Sequence, residues 1–380
     1  MAPNRPRLAV LACSILTLVV SACGGSAVTD TTASESSAST EGATDAVTTE
    51  AGAPGVIETP TGLVLLDEQA VGTPESLVAE PPGADLSIGA TLPHFKDPYW
   101  IAEAWGVQRR ADELGVQVEI TNAGGYGETT TQVRQIEDFI TQGVDILIVG
   151  AVDQTGVAPV IDQAWDQGIP VIYTNSIADS KIQTGTYTYD CLVGEVQAEY
   201  ISDQQADAKI VMFTGPPGVA WPAARSDCFK AKIAELAPDA EILTEEFHDM
   251  DPAVILETME DILQTFPEID FVYNNTDLQA KGAVNALRAA GYAPGEVKVT
   301  TLTLGREAFG LMEDGWIDMA LAERPVLQGA LAVDIAVRLL AGDSIPALWV
   351  VDHPLYSTET LDDFIANEEQ WNWEPEDWQP

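Results

Sequence analysis

Positive charge is scarce in this chain. Seventeen Lys and Arg stand against sixty Asp and Glu in 380 residues, a formal net charge of −43. A surface of that sign repels nucleic acid and anionic membrane, and it disfavours a small anionic ligand outside a local basic pocket. Histidine is rarer still, with three in all and no His-Glu-x-x-His spacing, so no metal site is expected. No Gly-x-Ser-x-Gly, P-loop or kinase-like motif occurs. An enzyme is therefore not expected, and neither is a cofactor. No helix-turn-helix pattern precedes the first strand, which argues against a DNA-binding repressor. Long apolar runs are missing too: Leu8 to Val20 is too short to span a membrane comfortably.

What the N-terminus does have is an ordered set of signals. Arg5 and Arg7 precede the apolar Leu8–Val20 run, which ends in Val20-Ser21-Ala22-Cys23 before Gly24 and Gly25. This order resembles the bacterial lipobox. Residues 1–22 read as a lipoprotein signal peptide and Cys23 as the lipidation site. An extracytoplasmic domain anchored to the cell membrane by an N-terminal lipid is expected. Residues 23–84 read as an acidic flexible tether. Up to about Gly55 they are Ser, Thr, Ala, Glu and Asp with almost no large apolar residue. Beyond Ile57 the reading is divided: Leu63-Val64-Leu65-Leu66 could pack on a domain, while Pro60, Pro74, Pro81 and Pro82 argue against regular structure.

Cysteine is also sparse. Of four, Cys13 leaves with the signal and Cys23 takes the lipid, so Cys191 and Cys228 remain. In an oxidising, exported setting a disulfide between them is expected.

The rest of the chain alternates apolar strands with periodic helices. Leu86–Leu92 reads as a strand, and Ala104, Val107, Ala111 and Leu114 mark one face of the helix after it. Asp145–Gly150 is a continuous apolar run of the kind a buried parallel strand needs. The same alternation restarts near Leu192 and runs to a long helix over Pro325–Leu340. Two successive runs predict an α/β fold of two lobes, each a parallel sheet flanked by helices.

One stretch organises the chain, Leu86 to Trp100. It reads as a strand, a tight polar turn and the first turn of a helix, with Pro98 at N1 behind a capping Asp97. The carboxyl edge of a parallel sheet is where such folds hold ligands. Here that edge offers Lys96, Asp97, Tyr99 and Trp100.

With its lipobox, tether and tandem α/β lobes, the chain resembles the type I periplasmic solute-binding proteins of the ribose-binding class, over about Asp85 to Tyr356. Pro93–Trp100, Ala123-Gly124-Gly125-Tyr126 and Gly215–Trp221 are similar to the branch that senses trimethylamine N-oxide beside a membrane histidine kinase. The resemblance implies a clamshell with a three-strand hinge, crossed near Tyr187–Asp190, Ala322–Arg324 and Val350–His353. Lobe 1 would comprise 85–188 and 323–352, and lobe 2 189–322 and 353–380. It also implies a ligand set: Lys96, Asp97, Tyr99, Trp100, Tyr126, Asp153 and Asn175 from lobe 1, Asp190 and Glu323 at crossings, and Trp221, Arg225, Tyr273 and Asp277 from lobe 2. The Asp-Arg pair that sugar binders carry after the fourth strand is replaced by Asn175-Ser176.

Trp100, Tyr126, Trp221 and Tyr273 could wall an aromatic cage, which favours a methylated ammonium through cation–π attraction. The expected function is capture of a small polar molecule between the lobes for the permease of an ABC importer. The ligand would be a sugar or a small cationic, methylated-amine or amine-oxide compound. The alternative is a ligand-sensing partner of a membrane histidine kinase. A monomer is expected, with no nucleic-acid partner.

Overall fold

The computed structural model describes residues 55–217 and 219–380. The signal peptide expected over 1–22, the lipidation site expected at Cys23 and the first part of the expected tether lie outside these residues. The described chain opens with β1 (Gly55–Glu58), β2 (Val64–Gly72) and β3 (Ser87–Leu92). Then come α1 (Pro98–Leu114), β4 (Gln117–Asn122), α2 (Thr129–Gln142), β5 (Ile146–Val149), α3 (Ala158–Asp166), β6 (Val171–Tyr173) and β7 (Gly185–Tyr187). A second run holds α4 (Asp190–Gln204), β8 (Lys209–Thr214), α5 (Ala220–Leu236), β9 (Glu241–Phe247), α6 (Pro252–Thr265) and β10 (Phe271–Asn274). It continues through α7 (Asp277–Ala290), β11 (Lys298–Leu302), α8 (Arg306–Glu313) and β12 (Met319–Leu321). The chain returns through α9 (Pro325–Ala341) and β13 (Ile345–Val351), then ends in β14 (Leu355–Ser357), α10 (Leu361–Asn367) and α11 (Glu369–Asn372).

Two sheets result. The first runs β1-β2-β13-β7-β6-β5-β3-β4 and the second β14-β12-β11-β10-β8-β9. All pairings are parallel except the β1–β2 hairpin and the β14 edge. Parallel strands covered on both faces must be apolar throughout, and β5, Ile-Leu-Ile-Val, is wholly buried. This is the two-lobed α/β architecture that the alternation of elements predicts. The main chain passes between the sheets three times, after β7, after β12 and after β13.

Helix α1 starts as its sequence dictates. Asp97 is extended and its side chain accepts the Trp100 amide at 3.1 Å, with Pro98 behind it. The helix stops at Gly115, whose φ of 68° is the left-handed cap that glycine adopts cheaply. The return helix α9 is buried almost all round and lies against α1. Two glycines allow this contact: a Cβ on Gly106 would strike the Val326 carbonyl, and one on Gly329 the Glu103 carbonyl.

Two stretches depart from the expected boundaries. The tether expected to run to residue 84 ends earlier. β2 lies parallel to β13, and Leu65 is fully buried in the first lobe's core. Pro60 and Pro74 flank β2 rather than interrupt it. Beyond it, the Val78 and Ala79 amides donate to the buried Asp334 carboxylate of α9, which Arg110 also meets at 2.6 Å. The C-terminal stretch, expected in lobe 2, belongs to both lobes. Phe364 is buried in the second core, whereas Trp371 packs in the first. Trp378 reaches back to Trp105 on α1, ring centres 5.4 Å apart.

Arg324 ties this C-terminal strap to the second crossing. Its backbone is left-handed (φ 54°), its amide donates to Asn372 Oδ1 at 2.9 Å, and its guanidinium pairs with Glu368 and Asp352.

Candidate functional site

The carboxyl ends of strands from both sheets face one cavity of about 570 Å³. Of the thirteen residues that the resemblance nominates, eleven line it: Asp97, Tyr99, Trp100, Tyr126, Asp153, Asn175, Asp190, Trp221, Arg225, Asp277 and Glu323. The other two do not reach it. Lys96 is exposed outside the cavity wall. Tyr273 is wholly buried on β10, stacked 4.4 Å from Phe229, and its hydroxyl donates to Asn275 Oδ1 at 2.6 Å. The reason is the alternation of a strand: a residue inside β10 points into the helix-covered core, and only the residues beyond the strand end turn to the cleft.

Arg225 is the centre of the site. It is 5 % exposed, on the second turn of α5. Its Nε donates to Asp190 Oδ1 at 2.7 Å, Nη2 to Glu323 Oε1 at 3.2 Å and Nη1 to the Asn275 carbonyl at 3.2 Å. Its guanidinium also lies over the Trp221 ring, 4.5 Å from the centre. Burial opposes the charge on Arg225, but the fields of Asp190 and Glu323 outweigh it and raise its pKa. Burial lifts the carboxyls of Asp190 and Glu323 above their ordinary range, with Arg225 pulling each back. Asp190 and Glu323 stand beside the first and second crossings, so Arg225 holds one lobe's cleft wall to two of the connections between lobes.

Two covalent and steric features fix that arrangement. Cys191 and Cys228 are joined, with Cα atoms 5.2 Å apart, and they follow Asp190 and Arg225 by one and three residues. A Cβ on Gly194 would strike the Arg225 carbonyl, so α4 and α5 touch backbone to backbone there.

The first lobe supplies the aromatic floor. Trp100 Nε1 donates to the Tyr126 hydroxyl at 3.0 Å, and the Trp100 ring is only 1 % exposed, packed with Leu92 and Ala104. It is a core ring with one edge at the cavity. The Tyr99 hydroxyl accepts from Gln328 Nε2 at 2.9 Å, and Gln328 also donates to the Glu323 carbonyl. Behind Tyr99 lies Glu103, fully buried, with Thr174 donating to it and Oε2 unpartnered. Burial pushes its carboxyl up to about 8. The four rings nominated for a cage thus do not form one: Tyr273 is elsewhere, Trp100 is mostly core, and Arg225 covers a face of Trp221.

The structure adds residues that the sequence gave no reason to pick. Tyr187, Thr188, Thr276 and Thr303 also line the cavity. Thr303 donates to Glu323 and sits at φ 65°, and Asn175 sits at φ 58°. Left-handed backbone is costly for a β-branched residue and persists where the surroundings over-determine it. Each follows the end of a parallel strand at the cleft, β11 and β6. Nothing in Thr300-Thr301-Leu302-Thr303 distinguishes the last threonine from its neighbours. Among the described residues, no group of three or more His, Cys, Asp or Glu is arranged to ligate a metal.

Two parallel α/β lobes, three crossings and a polar cavity between the strand ends define a bilobal solute-binding protein rather than an enzyme. The chain belongs to the periplasmic binding protein domain family, whose model matches residues 88–344. The ribose import binding protein RbsB of Bacillus subtilis is 26 % identical over 263 residues, 69 % of this chain and 84 % of that one. The periplasmic protein TorT of Escherichia coli K12 is 26 % identical over 260 residues, 67 % and 73 % of the two chains. At equal identity, neither branch is singled out. A sugar ABC transport substrate-binding protein from Bordetella parapertussis superposes with a TM-score of 0.71 at 25 % identity, covering 80 % of this chain and all of that one. An ABC transporter solute-binding protein from Bradyrhizobium, with bound bis-tris, gives 0.71 at 27 % over 80 % and 90 %. Family membership implies an extracytoplasmic location. No helix among the described residues is long and apolar enough to cross a membrane.

Proposed function

We propose that this protein captures a small polar solute between its lobes and delivers it to the permease of an ABC importer. The observation that carries this reading is the cavity itself. It is walled from both sheets, and Arg225 binds lobe-2 helix α5 to Asp190 and Glu323 at two crossings. A solute seated there touches groups whose mutual geometry changes when the lobes rotate, so binding and closure form one equilibrium.

The lining mixes carboxylates, hydroxyls and aromatic edges, which suits a polyhydroxylated compound, an amine, or both together. The importer relatives support the polyol side: the Bordetella protein belongs to a sugar transport system, and the Bradyrhizobium protein carries bis-tris, itself a hydroxylated amine. A purely methylated ammonium or amine oxide finds less support, because the expected four-ring cage is incomplete. A partnership with a membrane histidine kinase is the second reading, and the match to TorT favours it. Permease and ATPase genes beside this one, or a sensor-kinase gene, separate the two. Lipid anchoring at Cys23 completes the proposal. Cys23→Ser should release the protein from the membrane fraction, and retention after salt washing overturns the anchor.

A thermal-shift screen of purified protein against sugars, polyols, polyamines, methylamines and amine oxides tests the main reading. A solute bound only by the folded clamshell raises Tm by mass action. Loss of that shift in Arg225→Ala, with the variant still folded by circular dichroism, supports the site. A shift that survives places the solute elsewhere.

A further inference from the structure

We propose that the solute carries a protonated amine, seated against Asp277 of the second lobe with Asp97 facing it from the first. This rests on the solute-binding reading above and narrows it to cationic, hydroxyl-bearing compounds.

The argument begins with a charge inventory of the cavity. Its described lining holds five carboxylates, Asp97, Asp153, Asp190, Asp277 and Glu323, and one cation, Arg225. That cation is already engaged by Asp190, Glu323 and the Asn275 carbonyl. Asp153 is spent locally, accepting from the Thr155 amide and hydroxyl and from the Gly156 amide. Asp97 caps α1, and its second oxygen lies 3.5 Å from His94 Nε2. This is no ion pair at neutral pH: burial, aided by Lys96, lowers His94 to about 4, so the ring is neutral.

Asp277 is left without a counterpart. It is 8 % exposed, lines the cavity and meets no cation and no side-chain donor among the described residues; the Leu278 backbone amide alone favours its charged form. Gly305 leaves room for its side chain: a Cβ there would collide with Asp277 Oδ2. The charged groups from neighbouring elements that act on it most strongly are acidic. They are Asp97 at the start of α1, Glu323 after β12 and Glu307 on α8. Glu307 is itself met by Lys281 of α7, at 2.6 Å on the outer surface. An uncompensated buried carboxylate must either take up a proton or meet a cation. Without ligand it takes the proton: burial first, then Asp97 and Glu323, push Asp277 up to about 8, and burial pushes Asp97 to about 6.

A cationic solute reverses this. It binds the ionised form, so it expels the proton that Asp277 holds below about pH 8. While the amine stays protonated, its affinity therefore rises with pH, by up to about tenfold per unit for one proton released, until Asp277 is ionised in the free protein or the amine itself begins to lose its proton. A neutral polyol releases no proton by this route.

The test uses matched pairs on the full mature chain: D-glucosamine with D-glucose, D-galactosamine with D-galactose, and serinol with glycerol. Calorimetry at pH 5, 6 and 7, where the amines are protonated, in two buffers of different ionisation enthalpy, reads affinity and proton release together. The expected result is an amine member bound at least tenfold tighter than its neutral partner at pH 7, with a proton released to buffer. In Asp277→Asn the preference should fall towards unity. Should that variant fail to fold, proton release by the wild type decides alone. A neutral member bound as tightly as its amine, or an amine bound without proton release, overturns the inference and leaves solute binding intact. No binding by any member overturns the inference together with the polyol-type reading beneath it.

Discussion

Arg225 Nε stands 2.7 Å from Asp190 Oδ1, and this contact joins the second turn of α5 to the first turn of α4, two helices that a disulfide closes behind it. The pair forms part of the cavity wall and adjoins the first crossing between lobes. A charge as buried as Arg225 is tolerated because Asp190 and Glu323 both meet it.

Arg225→Ala leaves two carboxyls in the wall without their cation. Removing one partner of a buried pair costs about 3–5 kcal/mol. A lower Tm and loss of solute binding are expected, and Arg225→Lys should recover stability better than affinity, since a point charge cannot reproduce three directed hydrogen bonds. An unchanged melting curve for the alanine variant would contradict this placement.

Reduction of Cys191–Cys228 acts on the same wall. The bridge spans 37 residues, and cross-links of that size contribute about 3–4 kcal/mol in the chain-entropy account. The double Cys→Ser variant should melt earlier and also bind more weakly, because Asp190 loses its fixed seat against Arg225. If only stability changes, the bridge is a staple with no bearing on the site.

The two cleft tryptophans should behave differently. Trp100 is 1 % exposed and sits in a packed cluster, so Trp100→Ala should cost about 3–5 kcal/mol of stability along with affinity. Trp221 is only half-buried, so Trp221→Ala should spare folding and weaken binding by roughly 1–3 kcal/mol. Chemical denaturation and fluorescence titration of both variants separate the effects. Equal stability losses would refute the distinction.

Glu103 makes stability depend on pH. Its carboxyl, ordinarily near 4.5, is raised to about 8 by burial, so between those values the folded state holds a proton that the unfolded state has lost. Stability then falls as pH rises through that window and levels off above it. Glu103→Gln cannot titrate. Relative to wild type it should gain in Tm from pH 5 to pH 9, and parallel Tm curves would exclude this role.

The C-terminal strap should be structural. Trp371 is 9 % exposed in the first core, with Arg109 stacked 4.8 Å above its ring, although the α10 residue Phe364 is buried in the second. Trp371→Ala should lower stability by about 3–5 kcal/mol. Removal of residues 368–380 should do more, since it also strips Glu368 and Asn372 from Arg324. A truncated chain that melts like the full one would show that the strap binds nothing together.

Local pattern alone determined most of the framework. The all-apolar β5, the Asp97-Pro98 helix start and the glycine after α1 are each dictated within a few residues, by burial on two faces, an orphan amide and a left-handed cap. The strand ends that carry Asp97, Asp153, Asn175 and Asp277 were legible for the same reason. Tertiary structure decided the rest. Tyr273 and Trp221 are both aromatic residues near strand ends, and only the turn of β10 puts the first in the core. β2 is too mixed in character to declare itself until β13, nearly three hundred residues later, offers it an edge. The pairing of Arg225 with Glu323, the empty side of Asp277 and the left-handed Thr303 depend on contacts between distant segments, which periodicity cannot encode because it records only what a residue's near neighbours require.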